Sequence, residues 1–500
     1  MYICKYLIKI MKKFITTTLP YSNSPNPHMG HALEFIIGDA IARYFRNKLG
    51  GENVIFNIGL DEHGKKIFDT AFKEEKLILD YLDENEISWR KFCHKFEISF
   101  DNFYRTSDYP HYSKSQRFWI NLQNRGLIYE KEYSGKYCVG CESFKTDKDL
   151  VDGKCPDHQN LEISEVNEKN YFFNLVDIKS ELKKIFETNL NILTPKSKRA
   201  EVFNLIENLQ DISISRNKEK VPWAVPVPGD SNQTMYVWIS ALLNYIFAAG
   251  FYSDDEKFEE FWENSVQIFG PDNIKFQSII FQGLLLSCDI KNTNNLLCHG
   301  TILDSKGRKM SKTMGNVVDP IDQVKKYGID AVKYYALAGL NIYSNSSWNE
   351  DDLVKLYNSH LADDYGNLLT RVVTLLYRGL KDNELTGDPN IALDHTLVEN
   401  SKMTNLVREQ IAEIKDLWDA FRITEALDET NKLVKWCNKY INDSEPWKKE
   451  NCWWSVLLEV HHFLTLITEL YIPLFPEKSQ IALNSLQEVE KIVLFPKIVL

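Results

Sequence analysis

A strand, a loop, a long helix and a second strand follow one another near the start of the chain, and this order constrains the fold most strongly. Phe14–Leu19 are apolar and β-branched, and the loop PYSNSPNP separates them from an amphipathic segment that begins near His28 and stops at a pair of glycines. Val54–Ile58 then form a second apolar strand. Strands joined through a helix lie parallel in one sheet, and ligands bind beyond their carboxyl ends. We therefore expect His28 and Asp61 at the same edge of a sheet.

The strand signals stop and later return, which indicates an inserted module. Between Tyr129 and Phe173 the helical period gives way to short, polar, glycine-containing pieces. Apolar strand signals return at Val266–Phe269 and Leu296–Cys298. We interpret the segment between as a small module that splits the sheet domain.

The last third of the chain carries helical periodicity. Strand signals largely disappear beyond Trp348, and segments such as Leu361–Tyr377 and Ile411–Val434 have few Pro or Gly interruptions. We predict a helical bundle there.

Composition excludes several classes of protein. The formal net charge of −11 argues against a protein that coats nucleic acid indiscriminately, although a local basic patch remains compatible with it. No uncharged apolar run approaches the roughly 18 residues of a membrane span. Nine cysteines without a secretory signal indicate a reducing compartment. We expect a soluble cytoplasmic protein that is not bound to a membrane; translation starts at Met11, or the preceding residues are a short organellar presequence.

The tetrapeptide His28-Met29-Gly30-His31 stands where the first loop becomes the helix. Backbone N–H groups and the helix dipole favour phosphate at a helix start, and Gly30 allows a nucleotide close to the backbone. The two histidines can donate hydrogen bonds to phosphate oxygens as charge develops. Two histidines that cap an ordinary helix are the structural alternative.

A glycine-flanked loop with closely spaced cations, GRKMSKTMGN at Gly307–Asn316, follows the returning strand signals. Lys309 and Lys312 could clamp a triphosphate and stabilise a departing pyrophosphate, and the glycines permit the loop to close. The alternative is a solvated basic turn, which becomes much less probable when both motifs occur in one chain at strand ends.

Three cysteines and a histidine have the spacing of a zinc knuckle. Cys138 and Cys141 are separated by two residues, thirteen residues follow, and Cys155 and His158 are again separated by two. A module this small cannot bury a core, so one structural Zn²⁺ per chain would supply its folding energy. Unligated cysteines are the alternative.

The motifs PHMGH and KMSKT resemble the HIGH and KMSKS signatures of class I aminoacyl-tRNA synthetases. Within that class, TTLPY, GLDEHGKKI, ISISR and YVWISALLNY resemble the methionyl-tRNA synthetases, and the likeness runs from about Lys13 to Trp447. It implies ATP- and Mg²⁺-dependent ligation of L-methionine to tRNA(Met) through methionyl-adenylate. It also implies catalytic roles for His28, His31, Lys309 and Lys312, and ATP binding by His28, Gly30, His31, Lys309, Met310, Ser311, Lys312 and Thr313.

The same resemblance implies an amino-acid site and an anticodon site. Asp61 would pair with the ammonium group of methionine, and the thioether pocket would be walled by Leu19, Tyr21, Trp238, Ala241, Leu242 and Tyr245. Without the resemblance these would be ordinary core residues. In the helical region, Asn367, Arg371 and Trp447 match positions that read unpaired anticodon bases, although Asn and Arg four residues apart usually lie on a solvated helix face.

Several positions depart from the family pattern. Gln277 and Phe281 stand where a histidine and a tryptophan are usual, Ser240 replaces an aspartate, and the residue after Gly270 is not the usual lysine. The loop from Tyr21 to His28 is also one residue longer than expected. We place Gln277 in the amino-acid site, where its amide can donate or accept a hydrogen bond, and expect a retained methionine preference with an altered pocket shape.

Related ligases and a silent protein are the competing interpretations. The isoleucine, valine and leucine enzymes carry a large editing domain, for which residues 116–220 leave no room. A cysteine enzyme would hold zinc in its active site. A class I synthetase of altered amino-acid specificity, or a catalytically silent tRNA-binding factor, would explain the replaced pocket residues, but a silent factor needs neither HMGH nor KMSKT.

The resemblance implies an α/β fold: a Rossmann-like parallel-sheet catalytic domain split by the zinc-knuckle insertion, then an α-helical anticodon-binding bundle. We divide the chain into a first catalytic half at 11–115, the insertion at 116–220, a second catalytic half at 221–315, a stem-contact linker at 316–360 and the helical domain at 361–500. The chain ends without a further oligonucleotide-binding domain, so we expect a monomer.

Overall fold

A computed structural model of the chain describes residues 11–138, 143–145, 147–156, 159–310, 315–381, 393, 396, 398–449 and 453–499. They form two compact units. The first holds the described residues before His28 together with Leu49–His299, and the second holds His28–Lys48 and the described residues from Gly300 onward. The five-part division made from the sequence cuts the chain elsewhere and stays a prediction.

Strands and helices alternate in the first half of the chain, and helices dominate the second. The strands are β1 Lys13–Thr17, β2 Val54–Leu60, β3 Asn102–Arg105, β4 Ile128–Cys138, β5 Ser143–Lys145, β6 Ser164–Phe173, β7 Leu193–Thr194, β8 Ile212–Ser213, β9 Ser215–Asn217, β10 Gln233–Met235, β11 Val266–Phe269, β12 Asn295–Cys298, β13 Ile302–Leu303 and β14 Ser346–Ser347. The α-helices are α1 Met29–Leu49, α2 Lys65–Lys73, α3 Ile78–Lys95, α4 Tyr109–Asn124, α5 Lys179–Thr188, α6 Arg199–Glu207, α7 Val237–Ala249, α8 Asp255–Trp262, α9 Phe281–Ser287, α10 Pro320–Tyr327, α11 Ile329–Tyr334, α12 Glu350–Tyr357, α13 Asn367–Lys381, α14 Lys402–Asp419, α15 Ile423–Ser444, α16 Trp453–Tyr471 and α17 Pro476–Glu488.

The first unit is built on a parallel sheet, as the sequence predicted. Its strand order is β3-β2-β1-β11-β12-β7, and every neighbouring pair is parallel. The chain leaves β1 toward β2 on one side and later returns to β11 on the other, so the order reverses between β1 and β11. Such a reversal opens a crevice at the carboxyl ends of the strands, where α/β proteins bind ligands.

The predicted first strands and helix are confirmed with small shifts at their ends. β1 stops at Thr17, two residues before the predicted end, while β2 continues to Leu60, two residues past it. The extension of β2 depends on Gly59, which pairs with Tyr104 of β3. A Cβ at this glycine would lie 2.0 Å from the Tyr104 carbonyl oxygen, so only glycine allows this close approach.

The inserted region contains longer strands than its polar sequence suggested. β4 and β6 form an antiparallel hairpin that pairs from Ile128 with Phe173 to Tyr137 with Ser164, and β5 and β8 flank it. The prediction of short pieces here was wrong, because pairing between β4 and β6 runs along most of the length of both strands.

The second unit is helical, and α1 packs on its C-terminal helices. The Tyr44 ring stacks on Trp418 of α14 with centroids 5.2 Å apart, and its hydroxyl lies within hydrogen-bond distance of both the Lys415 carbonyl and Asp419, each 3.0 Å away. The predicted continuous helix Ile411–Val434 is in fact broken between α14 and α15. Phe421 has a φ of 59° there, outside the right-handed helical region.

Within the described part of the chain, no helix combines the length and apolar character that a membrane crossing requires.

Candidate active site

Asp61 lies at the carboxyl end of β2, as the sequence predicted, and is held against the loop that follows β1. Its N–H donates to the Pro20 carbonyl at 2.9 Å, and its own carbonyl accepts from the Ser22 N–H at 2.8 Å. These bonds place Tyr21 opposite Asp61, with Leu19 half-buried in the same loop. The Asp61 side chain is almost fully buried, so its carboxylate is a strong candidate to pair with a cation.

A buried ion pair lies beside Asp61, and the sequence did not predict it. The Glu62 carboxylate, with no exposed surface, accepts from the Arg105 Nε at 3.0 Å on each oxygen and from the Ser107 hydroxyl. Burial raises the pKa of Glu62, and the Arg105 guanidinium opposes that rise. The Glu62 N–H also donates to the Thr106 hydroxyl. This network ties the residues after β2 to those after β3.

One face of α7 carries the predicted pocket wall. Trp238, Ala241, Leu242 and Tyr245 follow helical spacing, so their side chains lie on the same side of the helix. The half-buried Trp238 ring stacks on Phe276 with centroids 4.0 Å apart. Trp238, Phe276 and Tyr21 all pack against the hydrophobic cluster that contains Leu242 and Tyr245.

Gln277 reaches this wall from the segment that leaves β11. It lies in a π-helical turn, Phe276–Ile280, a local geometry often found at functional sites. Its Nε2 donates to the Tyr245 hydroxyl at 2.7 Å, and the Tyr245 ring meets Phe281 edge-on. The structure therefore places Gln277 and Phe281, two positions that depart from the family pattern, against Tyr245.

The third replaced residue faces a different group. Ser240 hydrogen-bonds with His111 Nε2 at 2.7 Å, and His111 Nδ1 bonds with the Tyr104 hydroxyl. Burial lowers the pKa of His111 well below its ordinary value, so the ring is neutral near pH 7. A serine suffices here because a neutral imidazole needs no counter-ion.

His28 and His31 form a reciprocal cap at the start of α1. His28 Nδ1 accepts from the N–H of Gly30 at 3.1 Å, His31 Nδ1 accepts from the His28 N–H at 3.2 Å, and the rings stack 3.6 Å apart. Because Nδ1 is an acceptor in both neutral rings, each hydrogen sits on Nε2. A Cβ at Gly30 would lie 3.0 Å from the His28 ring, so glycine also makes room for the cap.

The base of the KMSKT loop is a tight turn organised by an aspartate. The buried Asp304 carboxylate accepts from the Arg308 N–H at 2.9 Å, from the Arg308 Nε at 2.8 Å and from Asn316 at 2.9 Å. The hydrogen bonds from Asn316 and Arg308 lower the pKa of Asp304. Asn316 also donates to the Lys309 carbonyl. Met310 is described, whereas Ser311, Lys312 and Thr313 lie outside the described residues.

The predicted anticodon residues all lie in the second unit, where two of them are in contact. The Arg371 guanidinium of α13 lies 4.7 Å from the centroid of the Trp447 ring and donates to Asn442 at 2.6 Å. Asn367, one turn earlier, donates to Asp363. The Trp447 side chain is 41 % exposed, so its ring offers a face for stacking.

Two of the four predicted zinc ligands lie in the described residues. Cys138 ends β4 and Cys155 follows a turn closed by Val151 and Lys154; both thiols are fully buried. Cys141 and His158 fall outside the described residues. Among the side chains that the structure does describe, no three potential ligands cluster closely enough to hold a metal ion. Three thiols and an imidazole are a donor set that fits Zn²⁺.

Comparisons with known proteins agree on one family. The family model for class I tRNA synthetases (M) matches residues 13–167 and 161–373. The methionine–tRNA ligase of Caldanaerobacter subterraneus subsp. tengcongensis is 35% identical over 474 residues, 93% of this chain and 72% of the relative. The methionine–tRNA ligase of Ureaplasma parvum is 32% identical over 493 residues, which are 95% of this chain and 92% of the relative.

The fold is similar to that of a solved structure. Mycobacterium tuberculosis methionyl-tRNA synthetase in complex with methionyl-adenylate matches with a TM-score of 0.83 and 29% identity, over 98% of each chain. The chain therefore belongs to the methionine–tRNA ligases among the class I aminoacyl-tRNA synthetases.

Proposed function

We propose that the chain ligates L-methionine to tRNA(Met) in two steps. A carboxylate oxygen of methionine attacks the α-phosphorus of ATP, and the bond to the bridging oxygen breaks, so that pyrophosphate leaves with the electron pair. A ribose hydroxyl of the terminal adenosine of tRNA then attacks the carbonyl carbon of the adenylate. AMP leaves, and the hydroxyl proton is released. No protein nucleophile is required, so positioning and electrostatic stabilisation supply the acceleration.

Methionine recognition falls to the first unit. The Asp61 carboxylate pairs with the ammonium group, and the aromatic face of Trp238 and Tyr245 suits a polarizable sulfur. Leu19, Tyr21, Ala241 and Leu242 complete the wall, with Gln277 behind Tyr245.

ATP recognition falls to the two signature motifs. The Nε2–H groups of His28 and His31 donate to the α-phosphate, and Gly30 keeps the start of α1 accessible. Lys309 and Lys312 stabilise the departing pyrophosphate, while Met310, Ser311 and Thr313 complete the loop. Mg²⁺ bound to the phosphates would supply further neutralisation of charge there.

Recognition of tRNA falls to the helical region. Trp447 stacks on an anticodon base while Asn367 and Arg371 hydrogen-bond to base edges. Cys138, Cys141, Cys155 and His158 hold one structural Zn²⁺, which would supply folding energy to the insertion. The enzyme acts as a cytoplasmic monomer with the five-part division 11–115, 116–220, 221–315, 316–360 and 361–500.

The observation that carries the amino-acid assignment is the pairing of Asp61 with Tyr21 at the carboxyl edge of the sheet. The test is methionyl-tRNA formation by the purified protein with ATP, L-methionine and tRNA, in the wild type and in Asp61→Asn. We expect Asp61→Asn to raise the KM for methionine about tenfold to a hundredfold, because a buried charge pair is lost.

Asp69→Asn is the matched control. Asp69 carries the same charge on α2 but pairs with Lys65 at a half-exposed site, so its loss should leave methionine kinetics unchanged. An unchanged KM in Asp61→Asn would refute the ammonium contact. Stronger charging with another amino acid would favour altered specificity, and no charging by folded protein would favour a silent tRNA-binding factor.

A further inference from the structure

Two hydrogen bonds tie Trp223 to the residues that follow Asp61. The Trp223 indole Nε1–H donates to the Glu62 carbonyl at 2.6 Å, and the Gly64 N–H donates to the Trp223 carbonyl at 2.8 Å. The ring of His63, the residue between them, lies 5.8 Å from the Trp223 ring, centroid to centroid. Trp223 therefore holds the backbone on both sides of His63.

This held backbone is bonded in turn to the carboxylate of Asp61. The His63 N–H lies 3.4 Å from Asp61 Oδ1 and donates to it. The Asp61 side chain is almost fully buried, so water does not compensate for a displaced carboxylate as it would at the surface. The direction of the carboxylate therefore depends on backbone that Trp223 keeps in place.

Trp223 is itself anchored to the other side of the pocket. It belongs to residues 221–227, which we call the strap. The Met235 N–H of β10 donates to the Val225 carbonyl of the strap at 2.7 Å. Helix α7 begins two residues after Met235 and carries Trp238 of the proposed thioether wall. The strap thus joins the backbone next to Asp61 to the start of α7.

Packing alone does not require this residue type. The half-buried Trp223 ring packs against a small hydrophobic cluster formed by Ile67, Ala71, Tyr81 and Leu82. A large apolar ring suffices for that contact, whereas the bond to the Glu62 carbonyl requires an indole N–H, which phenylalanine lacks. The two roles can therefore be separated by one substitution.

We propose that Trp223 is a positioning residue for the ammonium group of methionine: its hydrogen bonds hold Glu62–Gly64 so that the Asp61 carboxylate meets the substrate. The proposal rests on the proposed function, which assigns the ammonium contact to Asp61. The ammonium group does not react during adenylation, so its contact is the same in the ground state and the transition state. Loss of the positioning should therefore raise the KM for methionine and leave kcat almost unchanged.

Trp223→Phe tests the proposal by removing the N–H donor and keeping an aromatic ring. The readout is the KM for methionine and kcat in ATP–pyrophosphate exchange. We expect KM to rise about threefold to tenfold, as for one hydrogen bond, and kcat to change by less than about twofold. A wild-type KM in folded Trp223→Phe would overturn the proposal.

Trp262→Phe is the matched control. The Trp262 indole also donates to a backbone carbonyl, that of Lys291, at 2.7 Å. It lies before β11, at the amino ends of the strands and away from the carboxyl edge that carries Asp61. Its KM for methionine should stay at the wild-type value, and an equal rise in both variants would show a general effect of a lost indole donor.

A double-mutant cycle with Asp61→Asn separates positioning from general stability. If Trp223 acts through Asp61, adding Trp223→Phe to Asp61→Asn should change KM by less than about twofold, because the positioned contact is already lost. A merely structural role would instead give the full effect of Trp223→Phe in both backgrounds. Additive effects would therefore overturn the proposal.

Hydrogen exchange on the wild type decides the question if Trp223→Phe fails to fold. Coupling between two sites is reciprocal, so methionine bound to Asp61 should strengthen the bonds that hold this segment. Exchange of the Gly64 amide, which donates to Trp223, should slow when methionine is added to the wild type. It should not slow in Asp61→Asn at saturating methionine. No protection in the wild type, or equal protection in both proteins, would overturn the role of Trp223.

Failure of this role and failure of the proposed function give different results. A raised KM in Asp61→Asn together with a wild-type KM in Trp223→Phe would overturn only the role of Trp223. A wild-type KM in Asp61→Asn, or no exchange with methionine by folded wild-type protein, would refute the proposed function itself.

Discussion

Replacing Arg105 with methionine should destabilise the first unit and weaken methionine binding together. Arg105 contacts Glu62 through Nε, and its Nη1 lies 2.7 Å from Asp83 and 2.8 Å from Glu86. Asp83 is largely exposed, whereas Glu62 has no exposed surface. Arg105→Met therefore leaves the Glu62 carboxylate buried without a cation, next to Asp61.

The expected magnitude follows from that burial. Removing one partner of a buried ion pair costs about 3–5 kcal/mol, whereas an exposed pair contributes about 1 kcal/mol or less. We expect thermal unfolding followed by intrinsic fluorescence to show a fall in Tm of about 5 °C or more. The KM for methionine should rise, because Glu62 and Thr106 hold the segment that carries Asp61.

The destabilisation caused by Arg105→Met should depend on pH, in a direction set by the pKa of Glu62. Burial already raises the pKa of this carboxyl in the folded protein, and removing Arg105 raises it further. A folded-state pKa above the unfolded value means that the protonated form favours folding. Destabilisation relative to wild type should therefore be largest above the folded pKa and shrink as the pH falls through it.

Arg90→Met is the control. Arg90 also pairs with Glu86, at 2.7 Å, but its side chain is 45 % exposed, so its loss should cost about 1 kcal/mol or less at any pH. Equal effects of Arg105→Met and Arg90→Met, or a deficit in Arg105→Met that does not change with pH, would refute the reasoning from burial.

Three further outcomes test other parts of the account. Trp447→Ala should lower kcat/KM for tRNA charging about tenfold, because base stacking is lost, and should leave methionine-dependent exchange unchanged. Trp447→Phe should retain charging, whereas loss of exchange in Trp447→Ala would contradict an anticodon role. Lys309→Ala should slow exchange about a hundredfold, whereas Lys306→Ala, in the same turn, should not. Elemental analysis should find one zinc per chain in the wild type and less in Cys155→Ser; no zinc in either would exclude the knuckle.

Local patterns in the sequence predicted the elements that carry the site. Short-range periodicity indicates the order strand, loop, helix and strand. The predicted ends of β1, α1 and β2 therefore lie within about two residues of the observed ends. The residues on the shared face of α7 were predicted from the family resemblance, and their helical spacing places them on one side of the helix. Asp61 was placed at the edge of the sheet because residues that follow parallel strands collect there.

Contacts between distant segments could not be read in this way. Glu62 follows β2 and Arg105 is the last residue of β3, and Gln267 of β11 hydrogen-bonds to Gln277 of the π-helical turn. In the sequence Asp304 has the features of an ordinary turn residue, and only the structure shows that Asn316 donates a hydrogen bond to it across the loop. Polar pairing partners of this kind have no periodicity, so only the fold reveals them.

Selection and activation of methionine by this chain can be tested together by ATP–pyrophosphate exchange. Purified protein should be assayed with methionine, homocysteine, cysteine, leucine and isoleucine, with and without tRNA. We expect exchange with methionine far above that with the other amino acids. Stronger exchange with another amino acid, or none with any by folded protein, would contradict it.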